Sequence, residues 1–292
     1  MILLFGGGGQ LGQEFVQYAI QHKAPLLGLS RRQADISDTS SIARAIALHS
    51  PTLVLNAAAY TNVDGAESNR EAAFLANARG AENLALACRA AGIPLVHFST
   101  DYVFDGAKEG AYVEDDPAAP LSVYGRSKLA GEDAIRATHP MHLILRTAWL
   151  YGVFGKNFLK TMLLLARERD EIRVVADQHG NPTSTAQIAK EVFAILPRLL
   201  DQDCPWGTYH LAATDSATWF DLADRAVVGQ ARHTGRRPVV TPISSAEYPT
   251  VATRPRNTTL DSNCFLRTFG GCLDPWMQEC DRIVDTLMNA RP

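Results

Sequence analysis

The chain has 292 residues, 46% hydrophobic and 20% charged, which suits an ordinary globular protein of one large domain or one and a half. Its net charge of −3 excludes a general attraction to nucleic acid or to acidic membranes, so an anionic ligand has to be held by local groups. No apolar run reaches the ~18 residues that cross a bilayer, and no basic segment precedes an apolar signal core, so a cytoplasmic location is expected. Cys88, Cys204, Cys264, Cys272 and Cys280 form no C-x-x-C pair and read as idle thiols in a reducing compartment. The histidines show no H-E-x-x-H and no paired Cys/His spacing, so nothing supports a zinc site.

Met1–Phe5 is all apolar and reads as a strand buried on both faces. Gly6, Gly9 and Gly12 follow in a G-x-x-G-x-x-G turn, and Gln13 to Gln21 reads as a helix with Phe15, Ala19 and Ile20 inward. Strand, glycine turn and helix in that order are the setting of a dinucleotide fingerprint. Backbone amides must approach a pyrophosphate closely, which a Cβ obstructs, and the helix N-terminus adds donors and a positive dipole end. Pro25–Leu29 reads as the second strand. Where an acid commonly meets a free ribose 2′-hydroxyl, this chain has Ser30-Arg31-Arg32. Two guanidiniums suit a 2′-phosphate, which favours NADPH over NADH. A solvated basic turn is the alternative. Asp35 and Ile36 lie just beyond, bordering the adenine.

Thr39 to His49 reads as a helix and Thr52–Asn56 as a strand running into Ala57-Ala58-Ala59, small enough for a flat cofactor to lie against. Glu67 to Ala91 carries one long helical pattern through Ala72, Leu75, Ala76, Leu84, Leu86 and Ala87, closed by Gly92 and Pro94. Leu95–Phe98 is the next strand and ends at Ser99-Thr100-Asp101; Met141–Leu145 is the following one and ends at Arg146-Thr147-Ala148-Trp149. Alternating strands and helices predict an α/β fold with a doubly wound parallel sheet, whose ligands bind at the carboxyl ends of the strands. Residues 1–150 form the dinucleotide-binding part and residues 151–292 mainly a smaller substrate lobe, interleaved with it across a soft boundary.

Tyr124 and Lys128 form a Tyr-x-x-x-Lys pair. Ser122 is the expected N-cap, which places both early in a helix and on one face. A free phenol has a pKa near ~10, and a neighbouring cation lowers it, giving a group that protonates a carbonyl oxygen or deprotonates an alcohol.

Asn157 to Arg169 reads as a helix, Asp177 to Thr183 as a turn-rich loop, Thr185 to Leu196 as a helix, Trp206–Leu211 as a strand returning to the sheet, Thr218–Ala223 as a helix placed for packing, and Trp276–Met288 as a terminal amphipathic helix. Arg254-Pro255-Arg256 sets two arginines on a proline-stiffened loop, which suits a nucleotide diphosphate; an exposed loop is the alternative.

The ordered motifs resemble those of the extended short-chain dehydrogenase/reductases. Within them the chain resembles the dTDP-4-dehydrorhamnose reductases over essentially its whole length. The segments that carry this are Gly9–Gly12, Asn56–Asp64, Ala66–Ser68, Tyr124–Glu132, Arg146–Tyr151, Asn157-Phe158, Asp177–Thr183 and Arg254-Pro255. The resemblance implies NAD(P)H-dependent reduction of the 4-keto group of dTDP-4-dehydro-6-deoxy-L-mannose, the last step towards dTDP-L-rhamnose for cell-surface polysaccharide. It implies Tyr124 as proton donor, Lys128 as the group that lowers its pKa and holds the nicotinamide ribose, and Thr100 as a donor to the carbonyl. It implies Asp101 and Trp149 at the sugar. It implies Gly9, Gln10 and Leu11 at the pyrophosphate, with Gly6 and Gly12 in the same turn, Asp35 and Ile36 at the adenine, and Ala59, Tyr60 and Thr61 along the cofactor. Arg254 is expected at the substrate. Some members bind magnesium at a dimer contact; no motif here forces Mg2+, and a homodimer stays open.

Two other readings remain. An epimerase or dehydratase could use the same scaffold, but dehydratases commonly need a Thr-Asp-Glu run, and Tyr102 follows Asp101 here. The regulatory subunit of methionine adenosyltransferase resembles the same family and acts as a binding module. NADPH oxidation that requires the keto-sugar separates an enzyme from such a module.

Overall fold

The apolar runs of the first half form strands with alternate side chains on opposite faces, each face covered by helices. In this computed structural model, which describes residues 1–201, 203–271 and 273–290, β1 (Ile2–Phe5), β2 (Leu26–Leu29), β3 (Leu53–Asn56), β4 (Leu95–Thr100) and β5 (His142–Thr147) lie in one parallel sheet. A sixth strand, Gly207–His210, pairs parallel to β5, so the order across the sheet is Gly207–His210, β5, β4, β3, β1, β2. Leu4, Leu55, Val96 and Leu145 pack on one face with Phe15 and with Ile188 and Val192 of the Thr185–Leu199 helix. Leu3, Phe5, Val54 and Ile144 pack on the other with Leu84, Ala85 and Ile135. A second core, built from Leu159, Leu163, Val174, Ala223, Val227, Ile283 and Val284, lies in the later part of the chain.

Several elements depart from expectation. The first helix spans Gln10–His22, and Ile20 is 67% exposed while Leu11, Phe15 and Ala19 are buried. Those three recur every fourth residue, and Ile20 sits one residue, about 100°, off their stripe. The long helix expected over 67–91 is broken into Val63–Ser68, Arg70–Phe74, a π turn over Leu75–Arg79, and Gly80–Ala91. The inserted π residue shifts the inward face, so Ala73, Asn77, Gly80, Ala81 and Leu84 are buried while Ala72, Leu75 and Leu86 face out. The segment expected as Thr218–Ala223 runs from Trp219 to Thr234, started by a capping box of Thr218 and Asp221. Glu171–Val175 and Val239–Ile243, which no expectation covered, pair in parallel. Cys88, Cys204, Cys264 and Cys280 are free thiols; Cys272 lies outside the described residues.

The helix bearing the Tyr/Lys pair runs Val123–Thr138, and Ser122 caps it by accepting from Gly125 N at 3.1 Å. Its seat on the sheet is set by Glu132, which is fully buried. Arg146 of β5 grips that carboxylate through Nε at 3.0 Å and Nη2 at 2.8 Å, Ser99 of β4 donates to it at 2.5 Å, and Arg136 adds 3.1 Å. Burial works to raise the Glu132 carboxyl, but the Arg146 hydrogen bonds and charge outweigh it and hold it below its ordinary value. Removing one partner of such a buried pair strands the other charge, so Glu132→Ala is expected to cost ~3–5 kcal/mol in urea unfolding. The stabilisation from ionised Glu132 is complete above the unfolded carboxyl value of ~4.3 and is lost as pH falls through the lower folded value. Glu132→Gln is therefore expected to show a flatter acid limb when unfolding free energy is measured against pH.

Candidate active site

β4 and β5 run in register, with Ser99 beside Arg146 and Thr100 beside Thr147, so their carboxyl ends open at one level. Thr100 ends β4 in an extended conformation; its Oγ1 donates to Asp101 Oδ1 at 3.0 Å and accepts from Tyr102 N at 3.2 Å. The Tyr124 hydroxyl lies within the influence of the Thr100 side chain, which acts to lower its phenol, and its ring meets that of Tyr102 edge-on with centroids 5.8 Å apart. The helix comes this close because position 125 is glycine: a Cβ there would stand 2.2 Å from Tyr102 O.

The electrostatics differ from the sequence expectation. Burial pushes the Tyr124 phenol above its ordinary value, the Thr100 side chain opposes this, and Asp101 and Tyr102 add to the rise. Lys128 does not pull the phenol down here. Its Nζ is taken by Phe98 O at 2.6 Å and stands 3.2 Å from His97 Nε2. Burial lowers Lys128 to about 8, with Glu132 acting the other way. Asp101, 2% exposed, is pushed up to about 6 by burial, against the hydrogen bond from Thr100 Oγ1 to its Oδ1; its Oδ2 is buried with no hydrogen-bond partner. The site thus presents a neutral phenol, a hydroxyl, and an amine that titrates near neutrality, which is the inventory for protonating a carbonyl oxygen.

The glycine turn sits at the carboxyl end of β1. Gly6 has φ +86°, and a Cβ on it would lie 2.4 Å from Ala58 N; one on Gly12 would lie 2.1 Å from Gly6 O. Gly9 caps the Gln10–His22 helix with no side chain over it, so the amides of Gln10, Leu11 and Gly12 head the helix unobstructed. These residues fit a pyrophosphate. Ala59 and Thr61 are exposed beside half-buried Tyr60. Asn77, in the π turn, accepts from Tyr60 N at 2.8 Å and donates to Ser127 Oγ at 2.9 Å, tying this loop to the catalytic helix. Arg31 and Arg32 are exposed after β2, and Arg31 Nε pairs with Asp35 Oδ2 at 2.9 Å. Ile36 is 4% exposed, a core residue against Gly80.

Trp149 follows β5 with φ +45°, rare for a bulky residue. It lies flat between Trp219, at a centroid distance of 3.6 Å and 4° between planes, and Gly180, where a Cβ would stand 2.4 Å from Trp149 Cε2. Trp219 was read for packing alone; it packs against this site residue. Arg254 is already engaged, with Nη2 on Asp64 Oδ2 at 3.0 Å and Nη1 donating to Tyr102 Oη at 3.1 Å. Arg256 instead faces a cleft of about 620 Å³ with Lys108, Asp177, His179 and Asn257. Sequence reasoning missed Asn77, Glu132, Arg146 and His97. Asn77 left a signal as a polar residue amid alanines, and Glu132 and Arg146 fall in the Tyr124–Glu132 and Arg146–Tyr151 segments that carry the resemblance. Among the described residues no cluster of three or more His, Cys, Asp or Glu side chains is arranged to hold a metal ion.

Comparison with known proteins agrees with this geometry. The family model described as RmlD substrate binding domain matches residues 1–289. A dTDP-4-dehydrorhamnose reductase of Sinorhizobium fredii is 43% identical over 265 residues, 90% of each chain. The crystal structure of the dTDP-4-dehydrorhamnose reductase of Bacillus anthracis in complex with NADP superposes with a TM-score of 0.89 at 34% identity, covering 98% of each chain. The NAD-bound UDP-glucose 4-epimerase of Thermus thermophilus, 18% identical over 99% of each chain with a TM-score of 0.80, shares the fold. The chain belongs to the RmlD substrate binding domain family, among the dTDP-4-dehydrorhamnose reductases.

Proposed function

We propose that this protein reduces the 4-keto group of dTDP-4-dehydro-β-L-rhamnose to give dTDP-L-rhamnose, with NADPH preferred over NADH. The observation that carries this is the Thr100–Tyr124 pair at the carboxyl end of β4, with the phenol held neutral by burial. A bound nicotinamide supplies the hydride. The first-turn amides of Gln10 and Leu11, with Gly6, Gly9 and Gly12, would hold the pyrophosphate. Arg31 and Arg32 would take the 2′-phosphate, Asp35 and Ile36 would wall the adenine, and Ala59, Tyr60 and Thr61 would line the cofactor. Lys128 would hold the nicotinamide ribose.

As the carbonyl carbon is reduced, negative charge develops on its oxygen. Tyr124 presents a donor to that charge and delivers its proton, and Thr100 adds a second donor once its hydroxyl turns away from Asp101 Oδ1, to which it donates in the free site. Lys128, four residues on along the same helix face, would offset the phenolate left behind only by turning its Nζ from Phe98 O and His97 towards it. Asp101 accepts from sugar hydroxyls and Trp149 offers a rigid apolar wall. Residues from about 151 onward serve mainly as the substrate lobe. Its Arg254 holds the loop at residues 252–256 to Asp64 and Tyr102, while Arg256 lines the cleft beside Glu109, Asp177 and a Lys108 paired with Asp116, and would be the cation that meets a nucleoside diphosphate. The substrate is a small molecule, and among the described residues no helix is long and apolar enough to cross a membrane.

NADPH oxidation, followed by absorbance with freshly generated keto-sugar, tests the reading. Tyr124→Phe is expected to lose ~10²–10⁴ in kcat with NADPH affinity retained; a native protein that binds NADPH and never turns over would sink it. For the cofactor, the double change Arg31→Ala and Arg32→Ala removes charge-assisted bonds worth ~1.5–3 kcal/mol each. It is expected to raise KM for NADPH at least tenfold and to leave KM for NADH nearly unchanged, measured on the two cofactors side by side.

A further inference from the structure

The short helix Val63–Ser68 bridges the catalytic helix and the loop at residues 252–256, and two of its carboxylates, three residues apart, make the two connections. Glu67 Oε1 accepts from Val123 N at 2.8 Å. Val123 opens the Val123–Thr138 helix, so its amide has no partner within that helix. Ser122 takes the Gly125 amide and Glu67 takes this one, which sets a carboxylate at the positive end of the helix dipole. Tyr124 is the next residue along.

Asp64 makes the other connection. Its Oδ1 accepts from Ala252 N at 3.1 Å and its Oδ2 from Arg254 Nη2 at 3.0 Å, so one carboxylate holds both the main chain and a side chain of the same loop. Arg254 Nη1 donates in turn to Tyr102 Oη at 3.1 Å, and the Tyr102 ring stands edge-on to that of Tyr124. Between the two carboxylates, Ala66 is fully buried in a small apolar cluster with Val123, Phe74 and Tyr124.

We propose that Asp64 and Glu67 are positioning residues for the reduction: the Val63–Ser68 helix is a splint that fixes Tyr124 from two directions. Glu67 sets the backbone that carries the phenol. Asp64, through Arg254, seats the Tyr102 ring that flanks it. The proposal deepens the reductase reading and rests on Tyr124 being the proton donor. Both carboxylates act through other residues, so their effect falls on turnover and not on substrate binding. The splint also makes the placement of Tyr124 depend on the loop that continues into Arg256 at the cleft.

Glu67→Ala removes the acceptor from Val123 N, whereas Glu67→Gln keeps an amide oxygen for it. Asp64→Asn keeps an acceptor for Ala252 N and loses the charge that holds Arg254. Tyr102→Phe removes the hydroxyl that Arg254 grips. Each variant is assayed with NADPH and the keto-sugar, and its affinity for dTDP is measured by calorimetry. Displacing an acid by about 1 Å costs on the order of 10² in rate, so Glu67→Ala and Asp64→Asn are each expected to lower kcat about ten- to a hundredfold. KM for the keto-sugar and dTDP affinity should stay unchanged, and Glu67→Gln should keep most of the native kcat. Tyr102→Phe should add little to the loss in Asp64→Asn, because the two act along one chain of contacts. In 13C-tyrosine-labelled protein, which has eight tyrosines, the Tyr124 ring signals are assigned with Tyr124→Phe. They are expected to shift in Asp64→Asn as the ring current of Tyr102 moves. The near-isosteric Asp64→Asn keeps the test open should Glu67→Ala not fold.

A raised KM or weakened dTDP binding with kcat retained would make Arg254 a substrate ligand that Asp64 merely holds, and overturns the proposal. An unmoved Tyr124 signal in Asp64→Asn, or a kcat loss in Glu67→Gln as large as in Glu67→Ala, overturns it too. The NMR measurement needs no turnover. A native protein that never reduces the keto-sugar would overturn the reductase reading, while the Tyr124 shift would still decide the splint.

Discussion

Glu132 is a full negative charge with no access to water, and the placement of the catalytic helix follows from how it is satisfied. Its donors come from β4, from β5 and from its own helix, so the carboxylate occupies the one spot where Ser99, Arg146 and Arg136 converge. Lys128 and Tyr124 stand four and eight residues before it, on the same helix face. Fixing Glu132 therefore fixes the rotation of the helix about its axis, and with it the height at which the phenol meets Thr100. The glycines complete the constraint. At 125 and 131 the helix lies so close to Tyr102 O and Asn77 O that a Cβ would stand 2.2 and 2.1 Å away. Such an ion pair is weak evidence for stability, because burying its charges costs about as much as their attraction returns. Its use here is geometric.

This arrangement also explains what could be read from the chain alone. The strands of the sheet, the Thr39–His49 helix and the Ser122 cap were legible because each is written in a local pattern: an apolar run, a stripe, a hydroxyl before a helix. The glycine turn was legible because its neighbours are the strand and helix it joins. The π turn was not. It lies where Gly131, more than fifty positions away, packs against Asn77 O, and no window of residues around Leu75 contains that contact. The helical stripe traced from the sequence holds at Leu84 and misses the buried face at Ala72, Leu75 and Leu86. The partners of Lys128 were hidden for the same reason: His97 lies thirty-one positions earlier in an apolar strand where it passes for a filler. The expected cation beside the phenol presupposed that the ammonium points at Tyr124, whereas a backbone carbonyl and an imidazole claim it.

Trp149 shows backbone strain held in place by its surroundings. A left-handed backbone costs a bulky residue on the order of 1–3 kcal/mol and persists only where the surroundings over-determine it. Here Trp219 covers one face of the indole, Gly180 lies against it, and Thr183 N holds the Trp149 carbonyl at 3.2 Å. Trp219 is fixed in turn by Gln178 Oε1, which accepts from its indole nitrogen at 3.2 Å. The Asp177–Thr183 segment, which read as turn formers, is thus the support under Trp149.

The position of the Gly207–His210 strand bears on how the molecule is made. It closes the edge beside β5, the strand that carries Arg146, yet it leaves the ribosome about sixty residues later. Until it arrives, β5 is a bare edge with unpaired amides and carbonyls, open to pairing with another chain. The interval also carries the Thr185–Leu199 helix that covers one face of the sheet. Nascent chains stalled before residue 211 should accordingly need holding by a chaperone, and no cut near residue 150 would release a self-sufficient nucleotide-binding half.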